Sequence, residues 1–243
     1  MSPLRDLDLY DRYFTVVPAD SPEMLDAAHV LRYQVYCREH QFENPAEHPS
    51  GREVDVYDAN SVHAVLVQRS AERVVGCVRL ILPARAGGLS QLPIRQLLSG
   101  EAAERLDACD PFRTAEISRY AVSKAFRRRE GEELYPDVPS DDEDDLPVAD
   151  LRRLAPHLSV GLLRGVATLA AAEGVTTVCA AMAPSLLRLL KRFGLAFEPL
   201  GPPIEYHGLR QPCIANCEAL LAGLAVRQAD YFEVVEQAYR ASK

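Results

Sequence analysis

The chain has no apolar run approaching the roughly 20 residues that a membrane-spanning helix needs, because its longest apolar helix candidate is interrupted by Arg164 and Glu173. The stretch from Met1 to Asp11 alternates charged and apolar residues and lacks the apolar centre of a signal peptide, so the cytoplasm is the expected location. A surplus of basic residues is also missing: 27 Lys and Arg stand against 35 Asp and Glu, for a formal charge of -8. That excludes a general nucleic-acid binder, which needs cations to displace counterions from phosphates. None of the six cysteines belongs to a C-x-x-C pair, and most lie in apolar stretches where a thiol packs as a small hydrophobe. No His/Cys/Asp/Glu group has metal-ligand spacing, so no metal is expected.

What is present is globular material. Hydrophobic residues make up 48% and charged residues 26% of 243, which suits one α/β domain spanning 1–243. After an extended piece from Tyr13 to Val17, Asp20-Ser21-Pro22-Glu23 combines a capping residue, a first-turn proline and an early acid. It starts a helix expected to reach about Glu39, with Leu25, Ala28, Val30, Leu31, Val35 and Tyr36 at helical spacing. Residues 40 to 60 read as a loop, and Val62–Gln68 with Arg73–Leu82 as a hairpin. Short helical pieces at Ile94–Ser99 and Ala102–Leu106 precede a strand from Thr114 to Val122. The acidic run Ser140 to Asp145, among Pro136, Pro139 and Pro147, predicts a solvated excursion at about 130–150. Then come a helix Val160–Ala172 ending at Gly174, a strand Val175–Ala181, a helix Pro184–Arg192, a short strand near Leu195–Leu200, an extended piece Gln211–Ala215 and a C-terminal helix at about 218–241. This order predicts one mixed sheet with helices on both faces.

Charge falls where a core or cleft belongs. Arg32 lies one residue past Leu31 and four before Tyr36, which places it at the edge of the inward helix face. Glu53-Val54-Asp55-Val56-Tyr57-Asp58 sets three acids before a strand; Asp55 and Asp58 either cap turns or serve a site. Arg79 interrupts the apolar strand Val74 to Leu82. A buried guanidinium there requires a carboxylate partner, which Asp55, Asp58 or Glu116 can supply. In Glu116-Ile117-Ser118-Arg119-Tyr120-Ala121-Val122, a regular strand puts Glu116, Ser118, Tyr120 and Val122 on one face and Arg119 on the other. A bulge would bring Glu116 and Arg119 to one cleft.

Taken in order, Arg32 with Tyr36 and Phe42-Glu43, Asp55 with Asp58, Gly76 with Arg79-Leu80, Glu116 with Arg119, and Pro199-Leu200-Gly201 resemble the acyl-homoserine-lactone synthases, the long-chain N-acyl amino acid synthases and the acyltransferases associated with exosortase (PEP-CTERM) systems, the last group most. The resemblance spans roughly residues 14 to 207, and ordered blocks are more specific together than singly. It implies the GNAT fold: an α/β mixed central sheet flanked by helices, with a splay between the fourth and fifth strands, here Thr114–Val122 and Val175–Ala181, that holds an acyl thioester against unpaired backbone. It also implies a charged cluster of Arg32, Asp55, Asp58, Arg79, Glu116 and Arg119 on the acceptor side. Tyr36 and Phe42 join the substrate contacts, Glu116 is the general base with Arg79 and Arg119 as its catalytic companions, and Val122 lies on the pantetheine side. No bound cofactor is implied beyond the acyl thioester donor.

Two departures refine this. Phe42 stands where homoserine-lactone synthases carry Trp, and the chain has no Trp, which argues against S-adenosylmethionine as acceptor. The phosphate loop of acetyl-CoA enzymes appears only as Arg127-Arg128-Arg129-Glu130-Gly131-Glu132, whose arginines suit the acidic surface and single phosphate of an acyl carrier protein. The resemblance thus implies an N-acyltransferase moving a medium or long fatty acyl chain from an acyl carrier protein, or CoA, to a small amine such as an amino acid. An acyl-homoserine-lactone signal synthase and a catalytically idle GNAT-like binding module are the alternatives. A nucleophile mechanism is a weaker reading: His63 sits in an apolar strand, and His207 and Cys213 show no partner spacing.

Overall fold

The computed structural model describes residues 3–83, 88–126, 148–229, 232–233 and 235–237. Arg127, Arg128 and Arg129, and the acidic run Ser140 to Asp145, lie outside the described residues.

Helix α1 (Pro3–Tyr13) leads into strand β1 (Phe14–Pro18). Helix α2 (Pro22–Arg32) starts where expected, with Ser21 Oγ accepting from the Met24 N–H at 3.2 Å. The sequence predicts one helix to Glu39, but the chain widens into a π-helix over Tyr33–Glu39. The looser winding turns Val35, Cys37 and Glu39 inward together. Its exit is fixed by the Phe42 N–H donating to the Tyr36 carbonyl at 2.8 Å, which sets Phe42 beside Tyr36.

Strands β2 (Ser61–Gln68) and β3 (Arg73–Ile81) form the expected hairpin. Short helices α3 (Pro93–Gln96) and α4 (Gly100–Asp107) precede β4 (Thr114–Val122), whose bounds match the sequence reading. Helix α5 (Val148–Ala172) begins twelve residues before the expected Val160 and runs through Pro156. Leu154, Leu158 and Leu162 carry its inward stripe back through that turn and are each fully buried. Burial contributes roughly 1.5–3 kcal/mol per leucine, which outweighs the about 3 kcal/mol cost of an interior proline. A Cβ at Gly165 of α5 would lie 2.7 Å from the Ala64 Cβ, so only glycine lets this helix approach β2 so closely.

Strand β5 (Thr177–Met182) is followed by α6 (Pro184–Arg192), as expected. The short strand near Leu195–Leu200 reduces to β6 (Glu198–Pro199), and β7 (Ile204–Glu205) pairs with β8 (Leu209–Asn216). The expected helix at about 218–241 is interrupted: α7 (Cys217–Arg227) breaks where Gln228 leaves helical geometry at φ -147° and ψ 69°, and helix resumes beyond it at 229, 232–233 and 235–237 among the described residues.

The sheet order is β1-β2-β3-β4-β5-β8-β6, antiparallel except for the parallel β4–β5 pair. Those two strands register only at Thr114–Thr177, Ala115–Val178 and Glu116–Cys179. Beyond Glu116 they separate, which is the expected splay. One face of the sheet, including Ala64, Leu66, Leu80, Ile117 and Val122, packs under α5 in the largest core cluster. On the other face, Ala28, Leu31 and Val35 cover Cys77 and Ala121, and the segment containing α3 and α4 covers Ile81 and Cys179. The site lies between those two coverings.

Candidate active site

The strand β4 is bulged. Cys77 stands opposite Ala121 and Arg79 opposite Ser118, so two steps on β3 face three on β4. The extra residue is accommodated at Arg119, which takes the left-handed φ of 47°, a conformation costing roughly 1–2 kcal/mol for a side chain with a Cβ. The bulge reverses the alternation that a flat strand predicts. Ser118 bonds Arg79 and Arg119 reaches Glu53 and Asp55 on the same side. Tyr120 instead donates its hydroxyl to the Ser159 carbonyl of α5, across the sheet. Arg119 thereby faces the same cleft as Glu116, and Tyr120 and Val122 do not share Glu116's side.

Three arginines and four carboxylates then close a ring. Arg32 donates Nε to Glu53 at 2.6 Å and Nη1 and Nη2 to Asp58 at 2.6 and 3.0 Å. Arg79 donates to Asp55 at 2.6 and 2.9 Å, to Asp58 at 2.8 Å and to Ser118 Oγ at 2.9 Å. Arg119 donates to Glu53 at 3.0 and 2.8 Å, to Asp55 at 3.1 Å and to Glu43 at 3.2 Å. Arg32 is not at the edge of its helix face, as its spacing predicts, but fully buried; an inward arginine is tolerable because Glu53 and Asp58 meet it. Asp55 and Asp58 satisfy both readings left open above. They form a capping box on the 3-10 turn Val56–Asn60 and also bind the guanidiniums.

The ring holds its charges against burial. Burial works to raise the Glu53 pKa, yet hydrogen bonds from Arg119 and Arg32 outweigh it and bring it down to about 2. Burial likewise opposes the charge on Asp58, and the Arg32 hydrogen bond and charge hold that carboxyl well below its usual range. Burial, reinforced by the Arg32 charge, pushes His63 down to about 4, so it is a neutral ring set 3.5 Å from Asp58 Oδ1.

Glu116 is different. It does not pair with Arg79; its Oε2 accepts the Ile94 N–H at 2.8 Å. Burial raises its pKa to about 8, with that hydrogen bond and the charges of Arg79 and Arg119 only partly countering it. Near neutral pH its proton is exchangeable with an amine's, which is what acid–base chemistry needs.

Glu116, Arg79, Arg119, Asp55, Tyr36 and Phe42 all line one cavity of about 200 Å³. Its far wall is Ala180–Ala183 and Leu186, across the splay, and its mouth carries Tyr206, His207 and Arg210 from the β7–β8 hairpin. Arg32 and Asp58 are not on this wall: Asp58 bonds Arg79, which is, and Arg32 stands one step further back, bonded to Asp58 and Glu53. Val122 lies in the core, in register with Gly76. Tyr36 lies under Arg119, with the guanidinium 5.1 Å from its ring centroid, and Phe42 stacks on His40 at 5.0 Å. Ile117 also lines a second cavity of about 50 Å³ with aliphatic walls including Leu163, Val166, Leu220 and Leu224.

Several of these residues escaped the sequence reading as site candidates: Glu53, Glu43, Ser118, Tyr57, Tyr206, His207 and Arg210. The three arginines themselves were a signal, since each buried guanidinium demands acid, and Glu53 sat in the acidic run already singled out. His207 has a neighbour that spacing did not show, with Nε2 3.8 Å from Glu43. The fold also gathers ligand-type atoms of His29, Asp58 and His63 within 4.8 Å of one another. Both Asp58 oxygens already accept bonds from Arg32, Arg79 or the Asp55 N–H, so this trio does not offer a cation a vacant carboxylate. Burial pushes the Cys77 and Cys213 thiols up to about 12, which makes neither a ready nucleophile.

Residues 31–136 match the acetyltransferase (GNAT) domain family. No curated protein matches the chain. Among solved structures the chain is similar to TofI in a ternary complex with an inhibitor and MTA, at 20% identity over 87% of this chain and 96% of that one, with a TM-score of 0.59. It is also similar to the AHL synthase LasI, at 18% identity over 89% and 98% with a TM-score of 0.57. A third likeness is to FeeM, an N-acyl amino acid synthase from uncultured soil microbes, at 15% identity over 89% and 96% with a TM-score of 0.56. The chain has the GNAT fold, and its matched segment is an acyltransferase domain.

Proposed function

We propose that this GNAT-fold chain is an N-acyltransferase that moves a medium or long fatty acyl group from a carrier-protein thioester, or from CoA, to a small amine such as an amino acid. The observation that carries the reading is Glu116: a buried carboxyl with its pKa near 8, at the last paired position before the strands part. In this reading the thioester carbonyl sits in the gap, where backbone N–H groups of β4 polarise it. Glu116 takes the proton of the incoming ammonium, and the freed amine attacks the carbonyl carbon. The C–S bond then breaks, the amide remains, and the carrier thiolate recovers a proton. Arg79 and Arg119 hold the acceptor wall in place, with Tyr36 and Phe42 as its apolar shelf. Arg32 and Asp58 hold Arg79 and Glu53.

The aliphatic cavity behind Ile117 supports an acyl tail longer than acetyl. For the donor, Arg188, Lys191 and Arg192 are exposed on α6, the helix that also contributes Leu186 to the main cavity. A basic face on a chain of charge -8 favours an acidic carrier protein. The same reading makes the chain a single-domain cytoplasmic enzyme akin to the exosortase-associated acyltransferases, with Val122, Arg127, Arg128 and Arg129 assigned to donor recognition.

The test is to incubate the purified chain with carrier-protein and CoA thioesters of graded length and a panel of amines, following free thiol and product mass. Long-chain carrier thioesters should release thiol together with an amide. Turnover with acetyl-CoA alone overturns the donor assignment, and a lactone formed from S-adenosylmethionine replaces it with signal synthesis.

A further inference from the structure

Three arginines line the main cavity, and they are not equivalent. Arg79 and Arg119 already donate to Asp55 and Asp58, and to Glu53, Glu43 and Asp55, respectively. Arg210 donates Nη1 to the Leu209 carbonyl at 3.2 Å and has no carboxylate partner among the described residues. Its guanidinium lies 5.5 Å from the centroid of Phe42, so an aromatic face fixes it at the cavity mouth. The β7–β8 turn that presents it reverses through His207 and Gly208, at φ 50° and 87°.

An anion entering this cavity meets very different reception at the three. At Arg79 or Arg119 it would have to displace a carboxylate already bonded there and approach the others. The ring opposes the three cations Arg32, Arg79 and Arg119 with the four acids Glu43, Glu53, Asp55 and Asp58, so it attracts an ammonium and repels a carboxylate. Only the Arg210 fork is open to bidentate pairing.

We infer that Arg210 binds the α-carboxylate of the acceptor, which makes the acceptor class α-amino acids rather than simple amines. The inference rests on the N-acyltransferase reading for its chemistry, and it adds the residue that sets selectivity. The zwitterion is then aligned by charge, with its carboxylate at the mouth on Arg210 and its ammonium toward the acidic ring and Glu116. Phe42, under the same guanidinium, faces the side chain.

The experiment compares L-phenylalanine with phenethylamine, and L-leucine with 3-methylbutylamine, by calorimetric binding to the full chain and by acyl transfer. In the wild type each amino acid should bind more tightly than its decarboxylated partner. Arg210→Met should raise Kd and KM for the amino acids by roughly 30-fold, the scale of a charge-assisted pair. It should move those for the amines by less than about threefold and leave kcat for the amino acids within about threefold. Arg210→Lys should recover part of the loss, and an unchanged thermal midpoint shows that the variant is folded. Equal shifts for amino acids and amines, or a wild-type preference for the amine, overturn the inference. Turnover without carboxylate selectivity removes only this inference, whereas Arg210-dependent binding without turnover removes only the transferase reading. Neither binding nor turnover removes both.

Discussion

Glu53 and Glu116 are equally dry, at 1% and 5% exposure, and they are driven in opposite directions. Glu53 accepts from two guanidiniums and is held down to about 2; Glu116 accepts one backbone N–H and rises to about 8. Burial is common to both, so the partners decide which state survives. The molecule thus divides its acid chemistry into two regions: a permanently charged ring that fixes geometry, and a niche whose single carboxyl can change its proton near neutral pH. Register sets Arg79 beside Ser118 on the Glu116 side, and the bulge at Arg119 adds a second ring arginine to that side.

The sharpest way to break the comparison is to treat Glu53 as Glu116 is treated and remove its charge. Glu53→Gln keeps the shape but leaves Arg32 and Arg119 each short of a partner in a buried site. Removing one member of a buried pair costs about 3–5 kcal/mol. Urea unfolding should show a loss of that size, with acyl transfer falling in step with the folded population. Because the folded pKa of Glu53 lies below its ordinary 4.5, its stabilisation is fully present above about 4.5 and is lost as pH falls toward about 2. The variant should therefore lose part of the wild type's acid-side slope. A variant as stable as wild type would mean that the ring is not what holds the two coverings of the sheet together.

Glu116→Gln should do the reverse: a small change in stability and a large one in rate. The amide oxygen can still accept the Ile94 N–H, whereas proton transfer by a positioned carboxylate is worth on the order of 10²–10⁴-fold. With a folded pKa near 8 and an ordinary value of 4.5, the native state retains a proton that the unfolded chain has released. Relative to the Gln variant, wild-type stability should be greatest below about 4.5 and decline as pH rises to about 8. The rate constant should climb over the upper part of that range as the base ionises. A rate that is flat from pH 6 to 9 in the wild type would remove Glu116 from the proton path.

Much of this was legible in the sequence where side-chain type alone carries the constraint. The isolated Arg79 in an apolar strand demanded acid, and Asp55 and Asp58 supplied it. The strand bounds of β4, the hairpin and the need for a bulge followed from alternation. What was not legible depended on backbone departures that composition does not encode. The π-helix over Tyr33–Glu39 reads as continuous helix, since its residues suit either winding. Arg32 looked marginal because helical spacing locates a face but not the acid that approaches it from another loop. The start of α5 was hidden by Pro156, which weighs on local propensity and not on the three leucines that outweigh it. Arg210 and Tyr206 lie far along the chain from the charged blocks, and only the β7–β8 hairpin brings them to the cavity.

Ser118 tests the boundary between the two regions with the smallest effect. It follows Glu116 by two residues and precedes the bulge, and its Oγ accepts from Arg79 Nε at 2.9 Å. Ser118→Ala removes one bond from a guanidinium that retains bonds to Asp55 and Asp58, so the expected cost is about 1 kcal/mol of stability. If the ring serves geometry and the niche serves chemistry, the pH at which the rate rises should stay where Glu116 sets it. Activity should then fall by less than about threefold, because 1 kcal/mol spread over a ring with several other bonds displaces Arg79 little. A shift of the rate profile would show instead that Arg79 tunes Glu116 through its position, and the two regions would have to be treated as one titrating unit.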